Sequence, residues 1–214
     1  MRRIAIALTI LGTMLLGATS AQASTLTESG GIIYYVANQG ERNDVQVGVD
    51  SILGGTVRVY SFKDADANPI SVMGGPCELI NGVGMCQQVF VTSLVIDARD
   101  RDDTITVSTA GNGILPPLHI GAVMIGGRGV DVLMGGLGND ILKGNDGRDS
   151  LRGREGADVY KAGRGRDTLQ TLDGQRDAFI SCGDGGDDVL RKDKIDPRGR
   201  HCEHSNHKDI SKPH

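Results

Sequence analysis

Between Gly126 and Gln170 a large apolar residue returns at every ninth position: Leu133, Leu142, Leu151, Tyr160 and Leu169. Each is followed by a residue that is mostly polar: Met134, Lys143, Arg152, Lys161 and Gln170. That alternation predicts a short, half-buried strand with its eighth residue turned inward. The six residues before each strand are rich in glycine, which tolerates positive φ and close backbone approach, so they predict a loop. Nine residues are too few for a helix pair or for a hairpin with its own core. A fixed period of this length therefore predicts stacked loop-and-strand units sharing a thin aliphatic core.

Upstream the pattern is looser but still favours strands. Gly31–Val36 is a strand candidate and Asn38–Asp44 a turn. Val45–Val49 and Val57–Tyr60 alternate, and Gln88–Ile96 is a further apolar β-rich run. Helical periodicity is nearly absent. This region reads either as a small antiparallel sheet or as an irregular start of the same stacked structure. Asp97–Ile105 is similar to a degenerate first coil, with Asp102 or Asp103 at the position of interest. The register breaks at Gly111–Pro117 and resumes through His119–Ile125.

The polar positions of the repeat carry the chemistry. The five units are GGRGVDVLM (126–134), GGLGNDILK (135–143), GNDGRDSLR (144–152), GREGADVYK (153–161) and AGRGRDTLQ (162–170). Aspartate fills the sixth place each time: Asp131, Asp140, Asp149, Asp158 and Asp167. Glycine fills the fourth: Gly129, Gly138, Gly147, Gly156 and Gly165. Asp and Gly also build ordinary turns, but five copies in one register ask for more than a turn. These units resemble the nonapeptide of RTX, or haemolysin-type, calcium-binding proteins, Gly-Gly-x-Gly-x-Asp-x-U-x with U large and apolar.

The resemblance implies an all-β protein, a parallel β-roll or β-solenoid with a less regular β-rich N-terminal region. It implies that loop n stacks on loop n+2 with calcium between them. Asp131 would then pair with Asp149, Asp140 with Asp158, and Asp149 with Asp167. Asp149, as a member of two pairs, is expected to matter more than Asp131. Carbonyls of the glycine loops would complete the ligand set, through Gly126, Gly127, Gly129, Gly135, Gly136, Gly138, Gly144, Asn145, Gly147, Gly153, Gly156 and Gly165. Asn145 and Arg154 replace the second glycine and Ala162 the first, departures that would weaken individual sites. Asp177 and Asp187, each ten residues beyond the preceding repeat-like aspartate, are further candidates within imperfect closing turns. More loosely, the phrase Gly40–Val47, the cysteine loop and Asp97–Ile105 resemble secreted calcium-binding repeat proteins of actinobacterial type.

Elementary electrostatics agrees with such a ligand. Calcium accepts six to eight oxygens in mixed carboxylate and carbonyl sets. Two carboxylates on neighbouring strands, about 4.8 Å apart, repel by roughly 3 kcal/mol at an effective dielectric of about 20. Stacked aspartates over a thin core are expected to order only when a cation neutralises them.

Residues 1–23 read as a secretory signal peptide: basic Arg2 and Arg3, an apolar run from Ile4 to Leu16, and a small-residue cleavage site ending at Ala23. The run is too short to span a bilayer, so the mature chain is expected to be exported without a membrane span. Without those residues the balance is 21 basic against 27 acidic side chains, a net charge of −6. That argues against a nucleic-acid partner and suits a cation-binding surface. Four cysteines in an exported chain predict disulfides. Three pairings exist, and the local one, Cys77 with Cys86 and Cys182 with Cys202, is favoured because the two pairs lie in different regions. The expected organisation is a signal peptide (1–23), a β-rich N-terminal region (24–110), a calcium-binding roll (111–190) and a disulfide-tied cap with a mobile polar tail (191–214).

Catalytic signatures are absent: no His-Glu-x-x-His, no Gly-x-Ser-x-Gly and no Gly-Lys-Ser/Thr occurs. His201, His204 and His207 read as solvated tail residues. A non-enzymatic calcium-binding module of envelope, adhesion or matrix is the first reading, its protein or glycan partner unknown. The alternative is a secreted polysaccharide-acting enzyme on a β-solenoid scaffold.

Overall fold

A computed structural model describes residues 23–52, 57–65, 70–73, 77–87, 91–108 and 119–208. The signal-peptide reading, apart from Ala23, and the register break at Gly111–Pro117 lie outside them. Among the described residues there are strands and turns but no helix, and hence no helix long and apolar enough to cross a membrane.

The first strands are β1 (Ser24–Ser29), β2 (Ile32–Val36), β3 (Asp44–Ile52), β4 (Val57–Asp64), β5 (Ile70–Val72), β6 (Cys77–Ile80) and β7 (Val83–Gln87). Then come β8 (Ser93–Asp97), β9 (Thr104–Val107), β10 (Ala122–Gly129), β11 (Val132–Met134), β12 (Ile141–Gly147) and β13 (Ser150–Arg152). The last are β14 (Val159–Gly165), β15 (Thr168–Thr171), β16 (Phe179–Gly185), β17 (Val189–Asp193) and β18 (His204–Lys208). They form two mixed sheets. One runs β16-β14-β12-β10-β8-β2-β1-β5, the other β18-β17-β15-β13-β11-β9-β3-β4-β7-β6.

From β8 onward consecutive strands alternate between the sheets up to β17, and each pairs in parallel with the strand two places along. Leu133 faces Leu151 and Leu151 faces Leu169 in one sheet, while Leu142 faces Tyr160 in the other. One coil is thus two repeats. The five eighth-place side chains are fully buried between the sheets. The ninth-place residues are exposed or half-exposed. The glycine-rich loop before each strand carries the chain across to the opposite sheet, so successive eighth-place side chains meet between the two sheets.

The antiparallel pairs make the sheets mixed rather than parallel throughout, and all lie in the N-terminal region: β1 with β2, β3 with β4, β4 with β7, and β6 with β7. Even so, β2 and β3 stack in parallel on β8 and β9, with Ile33 on Leu94 and Val45 on Ile105. This region therefore combines antiparallel pairs with strands that stack in parallel on those that follow. The sheets run unbroken past residue 110. At the other end the expected mobile tail is corrected: residues 204–208 form β18, parallel to β17. His204 also lies 3.7 Å from Asp187.

Both disulfides follow the local pairing. Cys77 and Cys86 sit opposite each other on the β6–β7 hairpin. Cys182–Cys202 ties β16 to the segment before β18.

Candidate metal centre

The loops gather on two edges of the paired sheets, and each edge carries a column of acidic side chains. On the first edge the backbone N–H of Asn43 donates to Asp103 Oδ1 (2.6 Å) and that of Asp103 to Asp131 Oδ1 (2.9 Å). The column continues from Asp131 to Asp149 (2.9 Å), Asp149 to Asp167 (2.8 Å) and Asp167 to Asp188 (2.7 Å). It closes on Glu203 (3.2 Å). On the second edge Ala122 N donates to Asp140 (2.7 Å), Asp140 to Asp158 (2.8 Å), Asp158 to Asp177 (3.1 Å) and Asp177 to Asp196 (3.0 Å). The pairs expected from the n/n+2 rule, Asp131–Asp149, Asp140–Asp158 and Asp149–Asp167, are all adjacent.

Only one oxygen of each carboxylate is used by the column. The second, Oδ2, is buried without a hydrogen-bond partner in Asp103, Asp131, Asp149, Asp167 and Asp188 on the first edge. The same holds for Asp158, Asp173 and Asp177 on the second. Buried polar atoms are normally satisfied, because an unmade bond costs about 1–3 kcal/mol. A regular column of such oxygens at equivalent positions therefore fits a ligand that would satisfy them. Burial raises these carboxyls above their ordinary range: Asp103, Asp140, Asp149, Asp167 and Asp173 to about 6, Asp131 and Asp158 to about 7, and Asp177 to about 8. Asp188 is raised by the same cause.

The glycines shape the space around those oxygens. A Cβ on Gly144 would strike Asp149 Oδ2 and crowd the carbonyl of Ala162 on the next coil. Gly135 stands likewise between Asp140 Oδ2 and the Gly153 carbonyl, and Gly126 and Gly153 lie against the Oδ2 of Asp131 and Asp158. First-place glycine thus lets a carboxylate oxygen and a neighbouring backbone carbonyl face one point. An all-oxygen set of this kind fits a hard cation such as calcium. The second and fourth places serve the backbone instead. Gly127, Gly129, Gly147, Gly156 and Gly165 all have positive φ, and Asn145 adopts φ 80° in a position that suits glycine or asparagine. Gly136 and Gly138 do not share that conformation, and Gly138 packs against the Ile120 carbonyl.

Individual positions differ from the sequence expectation. Asp103, not Asp102, stands in the column; Asp102 accepts from Val130 N on the exposed side. Asp188 holds the place expected of Asp187, whose side chain is exposed. Counting residues failed there because extra residues enlarge the preceding turn. The strand itself carries the signal, since Asp188-Val-Leu190 repeats Asp131-Val-Leu133. Asp140 has no orphan oxygen: Gly136 N donates to its Oδ2, and the Arg154 charge lies close enough to lower its pKa. Sequence reasoning missed Asp173, Asp193, Asp196 and Glu203, which fall outside the nine-residue count. One of them joins two others: oxygens of Asp158, Asp173 and Asp177 lie within 4.8 Å of one another.

Fold and site together describe columns of buried carboxylates that could hold metal ions. Residues 125–160 and 134–169 each match the RTX calcium-binding nonapeptide repeat, four copies at a time. The segment 125–169 therefore consists of repeats of this family. No curated protein and no solved structure gives a significant match to the chain.

Proposed function

We propose that this chain is an exported calcium-binding protein in which calcium completes a β-roll running from β8 to β17. The observation that carries the reading is the register of buried, unpartnered Asp Oδ2 atoms with the matched repeats. Calcium, when bound, would supply the positive charge that neutralises these carboxylates. The residues holding it would be Asp103, Asp131, Asp149, Asp167 and Asp188 on the first edge, and Asp158 with Asp177 on the second, together with first-place carbonyls. The role is structural, as a module of envelope, adhesion or matrix, and not catalytic. Two disulfides favour an oxidising compartment, where calcium is plentiful and weak sites still fill. Far-ultraviolet circular dichroism with calcium and with chelator tests the proposal. The β-signal should be strong with calcium and collapse in chelator; an unchanged spectrum would overturn the reading.

A further inference from the structure

We infer that Asp173 completes, with Asp158 and Asp177, a three-carboxylate site that binds the tightest ion of the molecule. This rests on the calcium reading and goes beyond it, because Asp173 lies outside the nonapeptide pattern. The strand register shows how it arrives. Arg152 pairs with Gln170 and Val159 with Phe179. Residues 153–158 therefore connect one coil where residues 171–178 connect the next, two residues longer. The added turn brings Asp173 back over the edge. Its Oδ1 accepts from Gln175 N (2.7 Å), while its own N–H and that of Gly174 donate to Asp193 Oδ2 (3.1 and 2.7 Å). The turn is thus held from both sides.

Independent of that turn, Asp158 and Asp177 are 0% and 2% exposed, and each keeps Oδ2 without a hydrogen bond. Oxygens of all three residues lie within 4.8 Å of one another. Lys192 is buried and committed elsewhere: its Nζ donates to the carbonyls of Asp193 and Asp196 (2.9 and 3.1 Å). Lys192 pairs with Thr171, the column of first-place residues. One coil beyond the site, the chain therefore supplies its own positive charge. Affinity of oxygen sites for hard cations rises with the number of charged ligands, so three carboxylates should outbind the two-carboxylate positions and accept a trivalent lanthanide.

Tyr160 makes the site readable. Its hydroxyl lies beside Asp158 and accepts from Gly153 N (2.8 Å). The chain has no tryptophan. Tyr34 and Tyr35 lie on β2, four strands from β14 and so about 19 Å away, and Tyr60 lies on β4 in the other sheet, five strands from β15. Terbium luminescence excited through tyrosine should therefore report this ion. In the full chain, the high-affinity phase of the signal should saturate near one ion and be displaced by calcium. Asp173→Asn keeps the Oδ1 acceptor for Gln175, so the turn survives. It should weaken terbium and the tightest class of calcium by about tenfold, with an unchanged dichroism spectrum at saturating calcium. Tyr160→Phe should remove the high-affinity phase of sensitised emission and leave calcium stoichiometry intact, while emission through Tyr35, bonded to Asp64 near Asp103, persists. Wild-type calcium uptake with unaltered affinities in Asp173→Asn overturns this site while leaving the calcium reading standing. No calcium uptake by the wild type overturns both.

Discussion

Asp131 and Asp149 occupy equivalent surroundings, each between two acidic neighbours of the first column. Asp103 lies before Asp131, and Asp167 lies after Asp149. The repeat count alone makes Asp131 a terminal member and Asp149 an internal one; the column makes both internal. Asp131→Asn and Asp149→Asn should therefore each lower calcium stoichiometry by a similar amount in equilibrium dialysis. A loss confined to Asp149→Asn would contradict the extended column. The same side chains set a pH dependence. Burial lifts their folded pKa values to about 6–8 from 3.8. The folded, calcium-free state then binds more protons than the unfolded state between those limits, so its stability falls as pH rises through them. In chelator, the β-signal should be retained best near pH 4 and be lost by pH 8. Added calcium should restore it at pH 8. A chelated protein most stable at pH 8 would contradict the burial of these carboxyls.

Within an element, the fold rests on single-residue columns rather than a broad core. Leu151 is fully buried between Leu133 and Leu169. Leu151→Ala should cost about 2–5 kcal/mol in denaturant melts of the calcium-loaded protein, because a thin layer offers little to collapse into the cavity. A loss under 1 kcal/mol would mean that the layer repacks. On the outer face, Arg128, Asp146 and Arg164 stack in register, with Asp146 3.9 Å from Arg128 and 3.8 Å from Arg164. These groups are exposed, so each pair contributes little alone. Their alternation matters more for register, since a one-coil slip would juxtapose like charges. Asp146→Arg would align three guanidinium groups. Its melting temperature should drop in low salt and recover in about 1 M salt, where charges are screened beyond about 3 Å. A salt-independent change would point to backbone damage instead.

Across the whole molecule, the two sheets join the irregular N-terminal strands to the repeats without a break. The nine-residue period, the inward eighth side chain and the sixth-place aspartates were legible because each depends on neighbours at constant separation, and the disulfides because the two cysteine pairs lie in different regions of the chain. That constancy carried the all-β class, the paired loops at Asp131–Asp149, Asp140–Asp158 and Asp149–Asp167, and a hard cation as the expected ligand. Wherever chain separation varies, only the packed sheets decide. The coil of β2 and β3 reaches its neighbour across four inserted strands, β4 to β7. Asp103 is chosen over Asp102 and Asp188 over Asp187 because a strand admits a single register, in which one side chain turns in and the next turns out. Asp173 enters the second edge through a turn that no periodic count contains, and Lys192 ends that edge with a charge of its own. Local pattern determined the repeating unit and its chemistry; the tertiary structure determined where the columns begin and end, because those limits depend on hydrogen bonds between residues far apart in the chain.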